Sequence, residues 1–468
     1  MRTLLNEATN LSSLLQESGD LSGRFIYGAD TRIAYSDLLT GSSLYDRAEE
    51  LEGYSVLLAT TSQLTTASAL IELDGIARRV VLCPPDLPLE HLPYLIETAE
   101  VDGIVSDRTI TQFGCARPLY FSPCSKTLEP AHHHRDFPSH ETEWILLTSG
   151  TTGLPKLVVH TLRSLTAAIQ QSNNDPQKVV WGTFYDIRRY GGLQILLRAA
   201  LSGTSLVLSG SDESTTDFLA RAASLGVTHI SGTPSQWRRA LMSPSANLLK
   251  PEYIRLSGEA VDQAILDRLR VFYPQARIVH AFASTEAGVA FEVTDGGSGF
   301  PPNALSVSSH AEMKIEDHTL RIRSGGNARC YLGEGMPSIR DHEGFVNTGD
   351  NVTLRDGRYF FAGRGDGVIN VGGLKVHPEE VEAVIGCHPE VQMCLVRAKK
   401  SPITGSLVVA DVVLRSVDPS DARDVSAIHD DILQLCRESL PAHKVPAAVN
   451  IVSALDVSGS GKVVRRYA

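Results

Sequence analysis

Residues Leu146 to Lys156 read LLTSGTTGLPK. An apolar lead-in, Trp144 to Leu147, runs into Thr148, Ser149, Gly150, Thr151, Thr152 and Gly153, and then into Pro155-Lys156. Such a run ends a buried strand and opens a loop of hydroxyls and backbone N–H groups. The glycines let the main chain approach an anion closely, and Lys156 adds positive charge. A polyphosphate is the ligand that suits this chemistry. A loop of the GxxxxGK[ST] type does not fit, because Leu157 follows the lysine and Pro155 precedes it. The plainer reading is a polar strand-to-helix turn with no ligand.

The elements that would position this run alternate between short apolar stretches and helical patterns. Tyr54 to Ala59, Arg79 to Cys83 and Gly103 to Ser106 read as strands, with helices over Leu64 to Ile76 and Leu87 to Ala99. Further on, strands are expected at Ser205 to Ser209, Val227 to Ser231, Ile254 to Ser257 and Arg277 to Phe282. Helices are expected at Thr216 to Leu225, Pro234 to Leu241 and Val261 to Phe272. This alternation predicts an α/β fold of helix-covered, mainly parallel sheets, with ligands beyond the carboxyl ends of the strands. The strand ends at Ser149, Ser231, Ser257 and Phe282 should therefore meet at one site. Past residue 300 the pattern turns antiparallel, a small β-barrel-like part with an Asp356-Gly357 hairpin turn. A small α+β unit follows, with strands at Gly367 to Val371, Val391 to Arg397 and Leu407 to Leu414, and helices at Pro378 to Ile385 and Asp424 to Leu435. The division falls at Gly363 to Asp366, giving units of 1–363 and 364–468.

The LLTSGTTGLPK run resembles the phosphate loop of the AMP-forming adenylating enzymes: acyl-CoA synthetases, peptide-synthetase adenylation domains and luciferases. SGEA (Ser257 to Ala260), AFASTEAG (Ala281 to Gly288), NTGD (Asn347 to Asp350), GRGDGVINVGGLKVHPEEVE (Gly363 to Glu382), LPAHKVP (Leu440 to Pro446) and GSGKVVRR (Gly459 to Arg466) follow in the family's order. The resemblance implies ATP, Mg2+ and CoA, or a carrier-protein pantetheine, as ligands. It gives Thr148, Ser149, Gly150, Thr151, Thr152 and Lys156 to the outgoing β/γ-phosphates. Phe282 would cover adenine, Thr285 would touch the α-phosphate and Glu286 would bind Mg2+. Asp350 and Arg364 would hold the ribose, and Lys462 would bridge the acid's carboxylate and the α-phosphate. The small unit would swing about Asp366, bringing Gly372-Gly373 in to admit a thiol. Each role has a plainer rival: a helix cap for Glu286, core packing for Phe282, a turn cap for Asp350, a surface lysine for Lys462 and an ordinary turn for Gly372-Gly373.

Several positions depart from the family's pattern. Phe282-Ala283 stands where Tyr-Gly is usual, and Asn370 stands for a lysine. Asp186 falls where a substrate-facing aromatic or histidine is expected, within Tyr185 to Gly192. Ionised and pointing inward, it would repel a carboxylate; pairing with Arg188 or Arg189 is the alternative. Tyr185, Tyr190, Gly191, Gly232, Thr233, Gly258 and Ala283 are the pocket candidates, and their mix of aromatic and small types leans toward an aryl or arylacryl acid. The resulting expectation is an AMP-forming acid–thiol ligase acting on a small-molecule acid. The alternatives are a ligase that loads an acyl-carrier protein, activation of a carboxylate or of nitrite for an amine, and a degenerate nucleotide sensor.

Composition sets outer bounds. The 468 residues carry a formal net charge of -11, with isolated Arg pairs and no basic run of the kind that tracks nucleic acid. The 7 cysteines are scattered with no CxxC pair, which reads as a reducing, cytoplasmic setting without structural zinc. No apolar run approaches the roughly 20 residues of a membrane span. His132-His133-His134 lies in a polar stretch, a solvated linker rather than a metal cluster.

Overall fold

The computed structural model describes residues 10–108, 119–131, 140–148, 154–170, 175–307, 311–364, 367–371, 374–401, 405–415 and 422–457. Ser149, Gly150, Thr151, Thr152, Asp366, Gly372, Gly373, Lys462 and the triple histidine lie outside these residues, as does the side chain of Arg364.

Two helix-covered sheets dominate. The first orders its seven strands as Cys330–Leu332, Lys156–His160, Glu143–Thr148, Arg79–Leu82, Ser55–Leu58, Gly103–Ser106 and Tyr120–Pro123. From Glu143–Thr148 onward the pairing is parallel; the first two strands pair antiparallel. Ser55–Leu58, Arg79–Leu82 and Gly103–Ser106 are buried along their whole length. Continuous apolar runs are what a parallel strand covered on both faces requires.

The second sheet has eight strands, with Tyr253–Ser257, His229–Gly232, Val180–Thr183, Ser205–Leu208 and Phe25–Tyr27 in its middle. Arg277–Ser284 and then Gly288–Val293 extend one side, and Arg32–Ala34 closes the other. Pairing is parallel through the middle and antiparallel at both edges. Helices Gln63–Leu73 and Tyr190–Leu201 contribute to one apolar core shared with residues of both sheets. Four of the helices that follow strands begin at side-chain caps: Ser62, Ser214, Thr233 and Asp262 each accept a backbone N–H from the first turn.

The antiparallel part is a four-stranded sheet ordered Ala311–Glu316, Thr319–Ser324, Val346–Arg355 and Arg358–Arg364. Its last hairpin turns at Asp356 and Gly357, whose φ values of 46° and 75° are the left-handed pair such two-residue turns use. Ile369 through Val449 contribute a separate apolar core, built on a five-stranded sheet and the helices Pro378–Ile385 and Ala422–Ser439. The Glu380 carboxylate joins this part to the hairpin, taking Arg355 at 2.6 Å and Lys444 at 2.6 Å. No helix among the described residues is long and apolar enough to cross a membrane.

Most expected elements stand within a residue or two of their predicted ends. The stretch Leu87 to Ala99 divides into a 3-10 turn, Leu89–His91, and the helix Leu92–Thr98, with Pro93 in its first turn. The strands Phe25–Tyr27, Arg32–Ala34, Lys156–His160, Val180–Thr183 and Cys330–Leu332, and the helix Tyr190–Leu201, have no counterpart in the sequence reading.

Asp74 ties the amino-terminal helix Leu11–Glu17 to this framework. Its carboxylate accepts from Leu11 N at 2.7 Å and from Trp144 Nε1 at 2.8 Å. Burial nevertheless pushes its carboxyl up to about 7, because ionising it in an apolar setting outweighs two donors. The folded state therefore holds this proton while the unfolded chain releases it between about pH 4 and pH 7, so stability falls as pH rises through that window. Urea midpoints of wild type and Asp74→Asn should diverge across it, with the wild type losing more on going from pH 5 to pH 7.5.

Candidate functional site

The hairpin at the mouth of the seven-stranded sheet sets the first part of the site. Lys156 pairs with Thr148 and His160 with Trp144, so LLTSGTTGLPK joins two antiparallel strands. The strand-to-helix alternative is thereby excluded. Thr148 Oγ1 is buried with no hydrogen-bond partner among the described residues. The Lys156 ammonium stands 5.2 Å from the centre of the Tyr331 ring. Tyr331 sits opposite Val158 on the neighbouring strand, and its phenol donates to Glu286 Oε1 at 3.2 Å. A cation and a carboxylate from distant segments thus converge on one aromatic side chain.

Thr285, Glu286 and Ala287 form the turn between the antiparallel strands Arg277–Ser284 and Gly288–Val293. No helix follows Glu286, so the helix-cap reading of this residue fails. Each of the three carbonyls is taken by a donor: Thr285 O by His160 Nε2 at 2.7 Å, Glu286 O by Ala328 N at 2.9 Å and Ala287 O by Asn327 Nδ2 at 3.1 Å. Gly288 closes the turn at φ 78°, and a Cβ there would meet Gly326 O at 2.7 Å. Glycine is required at that position both for its backbone angle and for the close approach. Glu286 Oε2 has no bond from a described residue, and no group of three His, Cys, Asp or Glu suited to a metal occurs among those residues. An oxygen ligand with an open lone pair fits Mg2+ held jointly with phosphates, the ion's usual mode.

Neighbouring parallel strands bring Ser231, Ser257 and Ala281 together, with Ser257 paired to Ala281 and Gly232 to Leu256. Three of the four strand ends expected to cluster are therefore adjacent, although the last strand runs on to Ser284 rather than stopping at Phe282. Tyr185 packs beside them. Its phenol donates to Ser257 O at 2.8 Å, and burial pushes its pKa up. Gly191 lies against the Tyr185 ring, and Gly258 follows Ser257. Gly232 leaves space for Phe184, whose Cδ2 a Cβ would meet at 2.7 Å. Ala283 sits at the register shift between the edge strands. Tyr190 is buried with its ring 5.7 Å from that of His160. Thr233 departs from expectation: it is fully buried, and its hydroxyl caps the helix Pro234–Ala240 in a reciprocal pair with Gln236, so it is committed to that helix.

Phe282 is half-buried and packs against the core that joins the second sheet to the antiparallel part. Its ring stacks on Phe361 at 4.9 Å and beside Phe291 at 5.8 Å, so Phe361 takes one face. Asp350 lies within the strand Val346–Arg355, and its amide donates to Thr348 Oγ1 at 3.1 Å. The threonine caps the aspartate's amide, which reverses the turn-cap reading. Asp350 and Arg364 are register partners across the hairpin.

The Asp186 question is settled by its neighbours. Arg188 is 2% exposed and donates Nε to Asp186 Oδ1 at 2.8 Å and Nη2 to Asp186 Oδ2 at 2.6 Å. The same guanidinium reaches the Thr60 and Thr61 carbonyls. Arg189 pairs outward with Asp86 at 2.6 Å. Asp186 is neutralised in a two-pronged pair and does not present bare charge to an acid. Tyr331, His160 and Asn327 are the participants the sequence reading missed. A lone histidine closing the apolar run LVVH was the available signal; the other two carried none.

The sequence model of the AMP-binding enzyme family matches residues 69–332, and that of the AMP-binding enzyme C-terminal domain matches residues 380–462. The 2-succinylbenzoate–CoA ligase of Salmonella typhimurium is 29% identical over 357 residues, spanning 74% of this chain and 73% of that protein. A benzoate CoA ligase from Burkholderia xenovorans LB400 superposes with a TM-score of 0.79 at 19% identity, covering 97% of this chain and 98% of the other. An anthranilate CoA ligase in complex with anthranoyl-AMP superposes with a TM-score of 0.77 at 19% identity, covering 97% and 95%. At these identities the two structures share the fold.

Removing one member of the buried Asp186–Arg188 pair strands the other charge. Arg188→Met should lower unfolding free energy by about 3–5 kcal/mol in urea titrations. The double change with Asp186→Asn should recover a substantial part of that loss.

Proposed function

We propose that this chain, which belongs to the AMP-binding enzyme family, joins an aryl or related small carboxylic acid to the thiol of coenzyme A. It is an ATP-dependent, AMP-forming ligase. A carboxylate oxygen attacks the α-phosphorus of ATP, the bond to the β-phosphate oxygen breaks, and pyrophosphate leaves. The thiol then attacks the acyl carbon of the adenylate, and AMP leaves with the bonding electrons. Two anions must meet in the first step, so positioning and charge neutralisation supply most of the catalysis.

The observation that carries this reading is the convergence of Lys156 and Glu286 on Tyr331 at the mouth of the hairpin. In this assignment Lys156, Thr148 and the segment Ser149 to Thr152 hold the departing diphosphate. Thr285 contacts the α-phosphate, Glu286 holds Mg2+, and Asp350 with Arg364 holds the ribose. Bound Mg2+ would neutralise phosphate charge as it develops. Lys462 is assigned to bridge carboxylate and α-phosphate. The units 1–363 and 364–468 would rotate about Asp366 to exchange Lys462 for Gly372-Gly373 between the two steps.

The acid is assigned to the ends of the middle strands, near Tyr185, Gly191, Gly232, Gly258 and Ala283. Flat rings suit a pocket walled by aromatic and small side chains, and the named relatives act on benzoate-type acids. With Asp186 tied to Arg188, nothing at that segment repels an incoming carboxylate.

Pyrophosphate release measured over a panel of aryl and short aliphatic acids should depend on added acid, and thioester should form only with CoA. Thioester appearing only when a holo carrier protein replaces CoA would move the acceptor to carrier-bound pantetheine. Release independent of any acid would overturn the reading. Glu286→Gln should cut acid-dependent release by roughly 100-fold, the scale lost with one electrostatic contact to the transition state.

A further inference from the structure

Glu286 and Thr285 can serve a nucleotide only if their turn is held at a fixed height above the hairpin. The strand Lys156–His160 does part of that holding. Alternation places Lys156, Val158 and His160 on one face of the strand. Val158 shares an apolar cluster with Ala287, whereas Leu157 and Val159 belong to the cluster on the other side. The face that offers Lys156 at the mouth therefore offers His160 deeper in, beneath the Thr285–Ala287 turn.

His160 is 0% exposed, and both of its ring nitrogens are engaged. Nε2 lies 2.7 Å from Thr285 O, and Nδ1 lies 2.9 Å from Ser164 Oγ. A carbonyl oxygen can only accept, so Nε2 carries the hydrogen and Nδ1 accepts from the serine hydroxyl. Burial pushes the imidazole down to about 4, which keeps the ring neutral near pH 7, with the carbonyl acceptor selecting the Nε2–H form. The ring also rests against Tyr190, a residue of the segment that borders the acid pocket. An apolar side chain would fill the same space but leave the half-buried Thr285 carbonyl without the His160 donor.

We infer that His160 is a positioning residue for the first half-reaction: its Nε2–H fixes the Thr285 carbonyl and so aims the Thr285–Glu286 turn at the α-phosphate and Mg2+. The inference rests on the roles proposed above for that turn. Its consequence is selective, because the thiol step uses an adenylate already formed.

The test compares wild type with His160→Leu, which removes the donor, and His160→Gln, whose amide N–H can reach the same carbonyl. His160→Asn, with a shorter amide, serves as the donor-removing variant should the leucine form not fold. Three quantities are read: tightening of a non-hydrolysable ATP analogue by Mg2+, acid-dependent pyrophosphate–ATP exchange, and thioester formation from a supplied acyl adenylate and CoA. The leucine form should lose most of the Mg2+-dependent tightening and about 10- to 100-fold in exchange kcat, the range a misplaced contact costs. Its thioester step should stay within about twofold of wild type, and the glutamine form should recover exchange to within about fivefold. A folded leucine form with unchanged exchange and Mg2+ response overturns the role of His160 alone, as does equal loss in both half-reactions. A wild type without acid-dependent exchange overturns the ligase reading and this role with it.

Discussion

Three consecutive carbonyls at Thr285, Glu286 and Ala287 need donors, and the site takes its shape from where those donors come from. A turn joining two antiparallel strands cannot satisfy these oxygens within itself, and buried carbonyls left unpaired are costly. The donors arrive from His160, from Ala328 N and from Asn327, on two separate segments. Satisfying the turn therefore locks the hairpin of Glu143–Thr148 and Lys156–His160, the edge of the second sheet and the loop before Cys330 into one arrangement. Lys156, Tyr331 and Glu286 meet because of that lock.

A second buried constraint lies at Arg188, beside the strand ends to which the acid is assigned above. Arg188 is surrounded by oxygens: the Asp186 carboxylate and the carbonyls of Thr60 and Thr61. Gln63 Oε1 accepts from Ile187 N, so the Asp186 to Arg189 segment is pinned to the start of the helix Gln63–Leu73. Pairing a buried charge this fully trades stability against geometry, since each partner is expensive to strand. The outcome here is a rigid segment ahead of Tyr190 that presents aromatic rings, not charge, toward the strand ends.

Much of the architecture was legible in residue order. Apolar runs bounded by glycine, proline and polar residues marked the central strands, and Pro234 marked the first turn of its helix. The shortest of the missed elements share a physical cause. Cys330–Leu332 and Phe25–Tyr27 are three residues long, too short for a period to register, and they exist as strands because a neighbour offers an open edge. Lys156–His160 hid behind a loop motif whose proline and lysine suggest an end rather than a beginning.

Residue order alone determined the α/β class and the order of the motifs shared with the family, because apolar runs and short glycine-, hydroxyl- and lysine-bearing motifs are local in sequence. Only the tertiary structure decided which groups face each other. It committed Phe282 to a ring stack and Thr233 to a helix cap, tied Asp186 to Arg188, and drew His160, Asn327 and Tyr331 into the site. The contacts of His160, Asn327, Tyr331 and Phe282 join segments tens to more than a hundred residues apart, which no local spacing encodes, whereas the short-range pairs Thr233–Gln236 and Asp186–Arg188 were decided by how the folded backbone turns and buries them.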